Sequence, residues 1–95
     1  MNKVILLVDD VSGFRNLVRK MLETQCYKVI DAENGALAIS VLQKEHVDLV
    51  ITDILMPLMD GIELGEKIYN DFKPLKVIGM TGGGRTVTAD AVKQL

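Results

Sequence analysis

Apolar and polar positions along this chain switch repeatedly between a strand-like and a helix-like period. Val4-Ile5-Leu6-Leu7-Val8 is a continuous apolar run, rich in β-branched residues and ended by acids. A run apolar on both faces predicts a central parallel strand covered by helices on each side. The period then changes. Phe14, Leu17, Val18, Met21 and Leu22 fall on one helical stripe, and Ser12 is placed to cap the helix start. Lys28 to Ala32 reads as a second, shorter strand. Asn34-Gly35 punctuates it, and Leu37, Ala38, Val41 and Leu42 give a second amphipathic helix. Val47 to Thr52 predicts a third strand that ends at Asp53. A loop with Pro57 and Gly61 leads to a third helix carrying Ile62, Leu64 and Ile68. Phe72-Lys73-Pro74 closes that helix, because proline cannot continue it. Leu75 to Met80 predicts the fourth strand. Thr81 and three glycines follow, and Thr88 to Leu95 begins a fourth helix. Strand and helix alternating in this way imply an α/β fold, a parallel sheet with right-handed crossovers.

Composition narrows the class. Ninety-five residues, 48% of them hydrophobic, suit one domain over 1–95 with a modest core. A net charge of −2 with acids and bases interspersed lacks the basic stripe that direct nucleic-acid binding requires. The single cysteine, Cys26, has no internal disulfide partner and fits a reducing cytoplasm. The amino-terminal apolar run is too short for a signal peptide and stops at two aspartates. No stretch approaches the ~20 apolar residues of a membrane span. The expectation is a cytoplasmic protein without membrane contact.

The candidate chemistry lies where the strands end, because ligands of open parallel sheets bind outside the carboxyl ends of the strands. The first strand ends in Asp9-Asp10, the third in Asp53 and the fourth in Thr81. A lone aspartate at such a place is ordinarily a helix cap or a turn residue. A pair joined by a third acid from another strand is harder to explain that way. Like charges at close range oppose ionisation, so the cluster calls for a cation or a proton. An all-oxygen donor set suits a hard cation that keeps several waters, and Mg²⁺ fits best. A carboxylate beside Mg²⁺ can attack phosphorus and form an acyl phosphate. Asp53, alone on what should be the central strand, is the candidate nucleophile. Asp10 then serves as a metal ligand, Asp9 orients metal-bound water, and the Thr81 hydroxyl is placed to bond a phosphoryl oxygen.

Three blocks make a resemblance plain. Val8-Asp9-Asp10, then Asp53-Ile54-Leu55-Met56-Pro57-Leu58-Met59-Asp60-Gly61, then Met80-Thr81-Gly82 are similar to the signature blocks of response-regulator receiver domains of two-component systems. The resemblance implies a flavodoxin-like, doubly wound parallel sheet of strand order 2-1-3-4-5. It implies phosphorylation of Asp53 by a sensor histidine kinase or phosphotransfer protein, or by small phosphodonors, with no external substrate. It further implies Mg²⁺ held by Asp10, Asp53 and the backbone carbonyl of Leu55, and a downstream output domain or target protein. Thr81 matches the family's switch hydroxyl and Gly82 the small residue after it.

The family also carries a lysine at the end of a fifth strand, and this sequence reaches Leu95 with only four βα units and no such lysine. Lys76 and Lys93 are poorly placed to replace it. For a chain truly ending there, the expected consequence is an exposed Leu75–Met80 edge, with self-association as a homodimer or marked instability as a monomer. Two other classes stand beside the receiver reading. One is an aspartate-nucleophile phosphatase of the haloacid dehalogenase type, which wants an acid at position 55. The other is a pseudo-receiver that only binds protein. Gly82-Gly83-Gly84 lacks the spacing of a nucleotide-binding loop, and His46 reads as a solvated residue. Cys26 and Tyr27 read as packing residues at a helix–strand junction.

Overall fold

The computed structural model describes residues 2–56, 59–80 and, for the backbone alone, 87 and 88. Four parallel strands, β1 (Val4–Val8), β2 (Lys28–Ala32), β3 (Leu49–Asp53) and β4 (Lys76–Met80), alternate with three helices, α1 (Ser12–Glu23), α2 (Gly35–Lys44) and α3 (Gly61–Asp71). A two-residue strand, β5 (Val87–Thr88), runs antiparallel to the end of β4, pairing Thr88 with Gly79 and Val87 with Met80. The spatial order is β2-β1-β3-β4-β5. This is the flavodoxin-like strand order the resemblance implies, with its first four strands parallel. Two expectations change at the far end of the sheet. Thr88 is strand rather than helix, and the last two residues of β4 are not a bare edge. Residues 89–95, assigned to a fourth helix, lie outside the described residues.

β1 shows why a doubly apolar run becomes a central strand. Leu6 and Val8 point to one side, into a cluster with Ala32, Ala38, Val47, Val50, Met56, Leu64 and Ile68, under α2 and α3. Leu7 points to the other side, where it meets Val29 and Met80 beneath Phe14, Val18 and Leu22 of α1. The period-2 pleat therefore feeds two cores from one strand. At the opposite end of the sheet, the Asp48 carboxylate accepts a hydrogen bond from the Val4 N–H at 2.8 Å, and the Asp48 N–H donates to the Val4 carbonyl at 2.8 Å. These bonds fasten the start of β1 to the approach of β3. His46 lies 2.9 Å from the other Asp48 oxygen, with its ring largely in solvent.

The helical stripes are narrower than their apolar residues suggest. On α1 the row Phe14, Val18, Leu22 faces the sheet, while Leu17 and Met21 remain 55% and 60% exposed on the flank. Leu37 and Ile62, each in a first helical turn at the rim, are also exposed. Capping differs in one place as well. Asn34 and Asp60 cap α2 and α3 by accepting from the Leu37 and Glu63 N–H groups, but the N-cap of α1 is Val11, and Ser12 makes no capping bond. The Val11 N–H itself donates to the Asp9 carboxylate in a local turn ahead of the helix.

Helix α1 ends in a motif that the sequence hides. The Cys26 N–H donates to the Glu23 carbonyl at 3.0 Å and the Tyr27 N–H to the Leu22 carbonyl at 3.3 Å. These paired bonds form a Schellman closure, which requires a left-handed residue that is usually glycine. Here Cys26 fills it, at φ 68°, and its side chain is exposed rather than packed. A side chain in that conformation costs ~1–2 kcal/mol, partly offset by the greater unfolded-state freedom of glycine. Cys26→Gly should therefore stabilise the fold by ~0.5–1 kcal/mol, read as a higher urea midpoint at unchanged slope. A lower midpoint would show that the closure does not strain this residue.

Candidate functional site

The strand register builds the site. Val8 on β1 is the partner of Thr52 on β3, so the residues that follow, Asp9 and Asp53, leave the sheet side by side. Asp10 comes next after Asp9. One oxygen from each of Asp9, Asp10 and Asp53 can be chosen so that all lie within 4.8 Å of one another. The structure thus brings together the three acids singled out from the sequence. Asp9 and Asp53 are only 2% and 8% exposed, whereas Asp10 faces solvent. Thr81 and Gly82 lie outside the described residues, as does Pro57.

Each buried carboxylate is held by the backbone two residues on. Asp9 Oδ1 accepts from the Val11 N–H at 2.8 Å, and Asp53 Oδ1 accepts from the Leu55 N–H at 3.1 Å. These local turns aim the carboxylates without a distant partner. Leu55 turns its backbone toward Asp53 while its side chain stands 72% exposed. Met56, next along, returns to the core. The Asp53 loop is then closed by Gly61, whose N–H donates to the Ile54 carbonyl at 2.8 Å. A Cβ on Gly61 would lie 2.5 Å from the Asp53 carbonyl oxygen and 2.7 Å from the Ile54 Cα. Close backbone approach explains this glycine. Gly35 is tight for another reason, because a Cβ there would run into the Met59 side chain at 2.7–2.8 Å.

Electrostatics set the chemistry. Burial pushes the Asp53 carboxyl above its ordinary value of 3.8, the Leu55 N–H pulls it partly back, and the charges of Asp9 and Asp10 push it further up. Burial likewise raises Asp9; the Val11 N–H opposes this, Asp10 adds to it, and Arg15 opposes it. Two desolvated carboxylates beside a third are poorly satisfied by the hydrogen bonds they receive. A divalent cation with oxygen ligands would satisfy them, so the donor set fits Mg²⁺.

The profile of the response regulator receiver domain family matches residues 5–95. This chain belongs to that family. Its similarity to sporulation initiation phosphotransferase F of Bacillus subtilis is 36% identity over 95 residues, all of this chain and 77% of that protein. The response regulator protein TrrA of Thermotoga maritima, solved in complex with Mg(2+)-BeF, superposes with a TM-score of 0.80 at 38% identity, covering 83% of this chain and 69% of TrrA. A second TrrA structure, in complex with histidine kinase ThkA, gives 0.80 at 34% identity over 95% of this chain and 79% of that one. Some curated relatives are far longer, and the receiver spans only 20% of one of them. No helix among its described residues is long and apolar enough to cross a membrane.

Sequence reasoning missed Arg15. Its Nη1 donates to the Asp9 carbonyl at 2.7 Å and its Nε to Asp31 Oδ2 at 3.3 Å. The available signal was a cation one turn into the helix that follows the paired acids, which resembles any solvated helix face.

The raised carboxyls give a pH signature. The unfolded chain releases these protons at lower pH than the folded receiver does. Stability contributed by the protonated groups is therefore lost as pH rises from the ordinary aspartate value through the raised folded value. Asp53→Asn removes one charge from the cluster. In EDTA at neutral pH it should unfold at a higher temperature, by ~4–8 °C if the gain is about 1 kcal/mol. The difference should shrink in acid, where the wild-type carboxyl is itself neutral. A variant less stable than wild type at neutral pH would refute the repulsion.

Proposed function

We propose that Asp53 is the phosphoacceptor of this receiver and that it works with Mg²⁺. The observation that carries the reading is the cluster itself, with Asp53 buried on the central strand within reach of Asp9 and Asp10. An Asp53 carboxylate oxygen attacks phosphorus. The bond from phosphorus to the donor's imidazole nitrogen, or to the leaving oxygen of a small phosphodonor, breaks as the acyl phosphate forms. Asp10, Asp53 and the Leu55 carbonyl would hold the metal, and Asp9 would orient its water. Mg²⁺, when bound, neutralises charge on the phosphoryl oxygens. Hydrogen bonds to Asp53 and Asp9 keep both carboxylates aimed while the site is desolvated. Thr81, by family position, supplies the hydroxyl that senses the phosphoryl group.

The donor is a sensor histidine kinase or a phosphotransfer protein, a reading supported by the kinase complex of TrrA. The recipient of the signal is an output domain or a separate target protein. A dehalogenase-type phosphatase would need an acid at position 55, where this receiver has an exposed leucine.

With acetyl phosphate and Mg²⁺, intact-protein mass spectrometry should show addition of one phosphoryl group, lost in EDTA. Asp53→Asn should abolish the addition while leaving the circular-dichroism spectrum unchanged. Phosphorylation that persists in this variant would move the acceptor elsewhere.

A further inference from the structure

Arg15 joins three parts of the receiver: helix α1, the end of β1 and the outer strand β2. It lies on the first turn of α1, with its side chain 17% exposed. One arm of its guanidinium reaches the Asp9 carbonyl at 2.7 Å; the other reaches Asp31 on the outer strand β2 at 3.3 Å. Arg19, one turn further on, meets the same Asp31 oxygen at 3.3 Å. The Asp9 carbonyl belongs to the peptide that links Asp9 to Asp10. That peptide precedes the Asp10 Cα and so sets the direction of its Cα–Cβ bond, from which the solvent-facing carboxylate reaches the cluster. The planar fork of an arginine can hold two acceptors in fixed directions, which a lysine cannot.

We propose that Arg15, braced by Asp31, is a positioning residue for the acidic site: it fixes the Asp9–Asp10 peptide so that Asp10 meets a divalent cation together with Asp53. The proposal rests on the Mg²⁺ reading of the site given above. Charge and position make opposite predictions here. A cation near the cluster should repel Mg²⁺, so removing its charge alone would tighten binding. Losing the orientation of Asp10 would weaken it.

The test uses the 95-residue chain, with Arg15→Met, which keeps an unbranched stem, Arg15→Lys and Asp31→Asn. Mg²⁺ is titrated calorimetrically, and amide exchange is followed at Val11, whose N–H bonds to Asp9. Arg15→Met should bind Mg²⁺ about tenfold more weakly, in line with other residues that orient metal ligands. Arg15→Lys should recover only part of that loss. Asp31→Asn should weaken binding in the same direction and add little to Arg15→Met in the double variant. Val11 exchange should rise in Arg15→Met while Leu6 and Val50 in the core stay protected. Unchanged or tighter Mg²⁺ binding by Arg15→Met would overturn the proposal. If wild type itself binds no Mg²⁺, the metal reading fails, and exchange alone then decides: unaltered Val11 protection would overturn the positioning role too.

Discussion

Everything distinctive about this receiver follows from burying like charges at the carboxyl end of a parallel sheet. Carboxylates in water repel weakly, but taking them out of water raises both the repulsion and the cost of ionisation. The register that sets Val8 opposite Thr52 makes the juxtaposition of Asp9 and Asp53 unavoidable. The surrounding backbone does not remove the conflict. It supplies one N–H to each buried carboxylate, from Val11 and Leu55, and burial still leaves both above the ordinary range. The result is a folded site that favours an added cation.

The rest of the neighbourhood serves to keep that site narrow. Gly61 lets the start of α3 lie against the Asp53–Ile54 backbone, and Met59 is seated against Gly35 at the start of α2. Asp53–Ile54 and Met59 thus lie in contacts that leave no room for an added Cβ on Gly61 or Gly35. On the other flank the Arg15–Asp31–Arg19 network ties the loop after β1 to α1 and β2. Exposed residues sit among these fixed points, with Leu55 and Val11 both turned to solvent beside buried acids.

Much of this was legible in the sequence, for a physical reason. Doubly apolar runs can be stable only as covered parallel strands, and polar residues at their ends then have one place to go. That argument located β1 to β4 and the three acids. It failed where local chemistry has several equivalent partners. Ser12 is an acceptable cap by type, but Val11 takes the N-cap position and its N–H bonds the Asp9 carboxylate. Leu17 and Met21 share a helical stripe with Phe14, Val18 and Leu22, yet only the second row meets the sheet. Cys26 carries no mark of the left-handed backbone it adopts. Arg15 looks like a surface charge until its distance to a backbone carbonyl is known.

The central claim is that buried mutual repulsion, relievable by a cation, defines the site. Carbon-13 NMR of the side-chain carboxyls, titrated against pH with and without saturating Mg²⁺, measures it directly. Without metal, Asp9 and Asp53 should both titrate above their ordinary value of 3.8. With Mg²⁺, Asp53 should move well below that value, because the bound cation favours the ionised form. Ordinary titration of both groups, indifferent to Mg²⁺, would contradict the account.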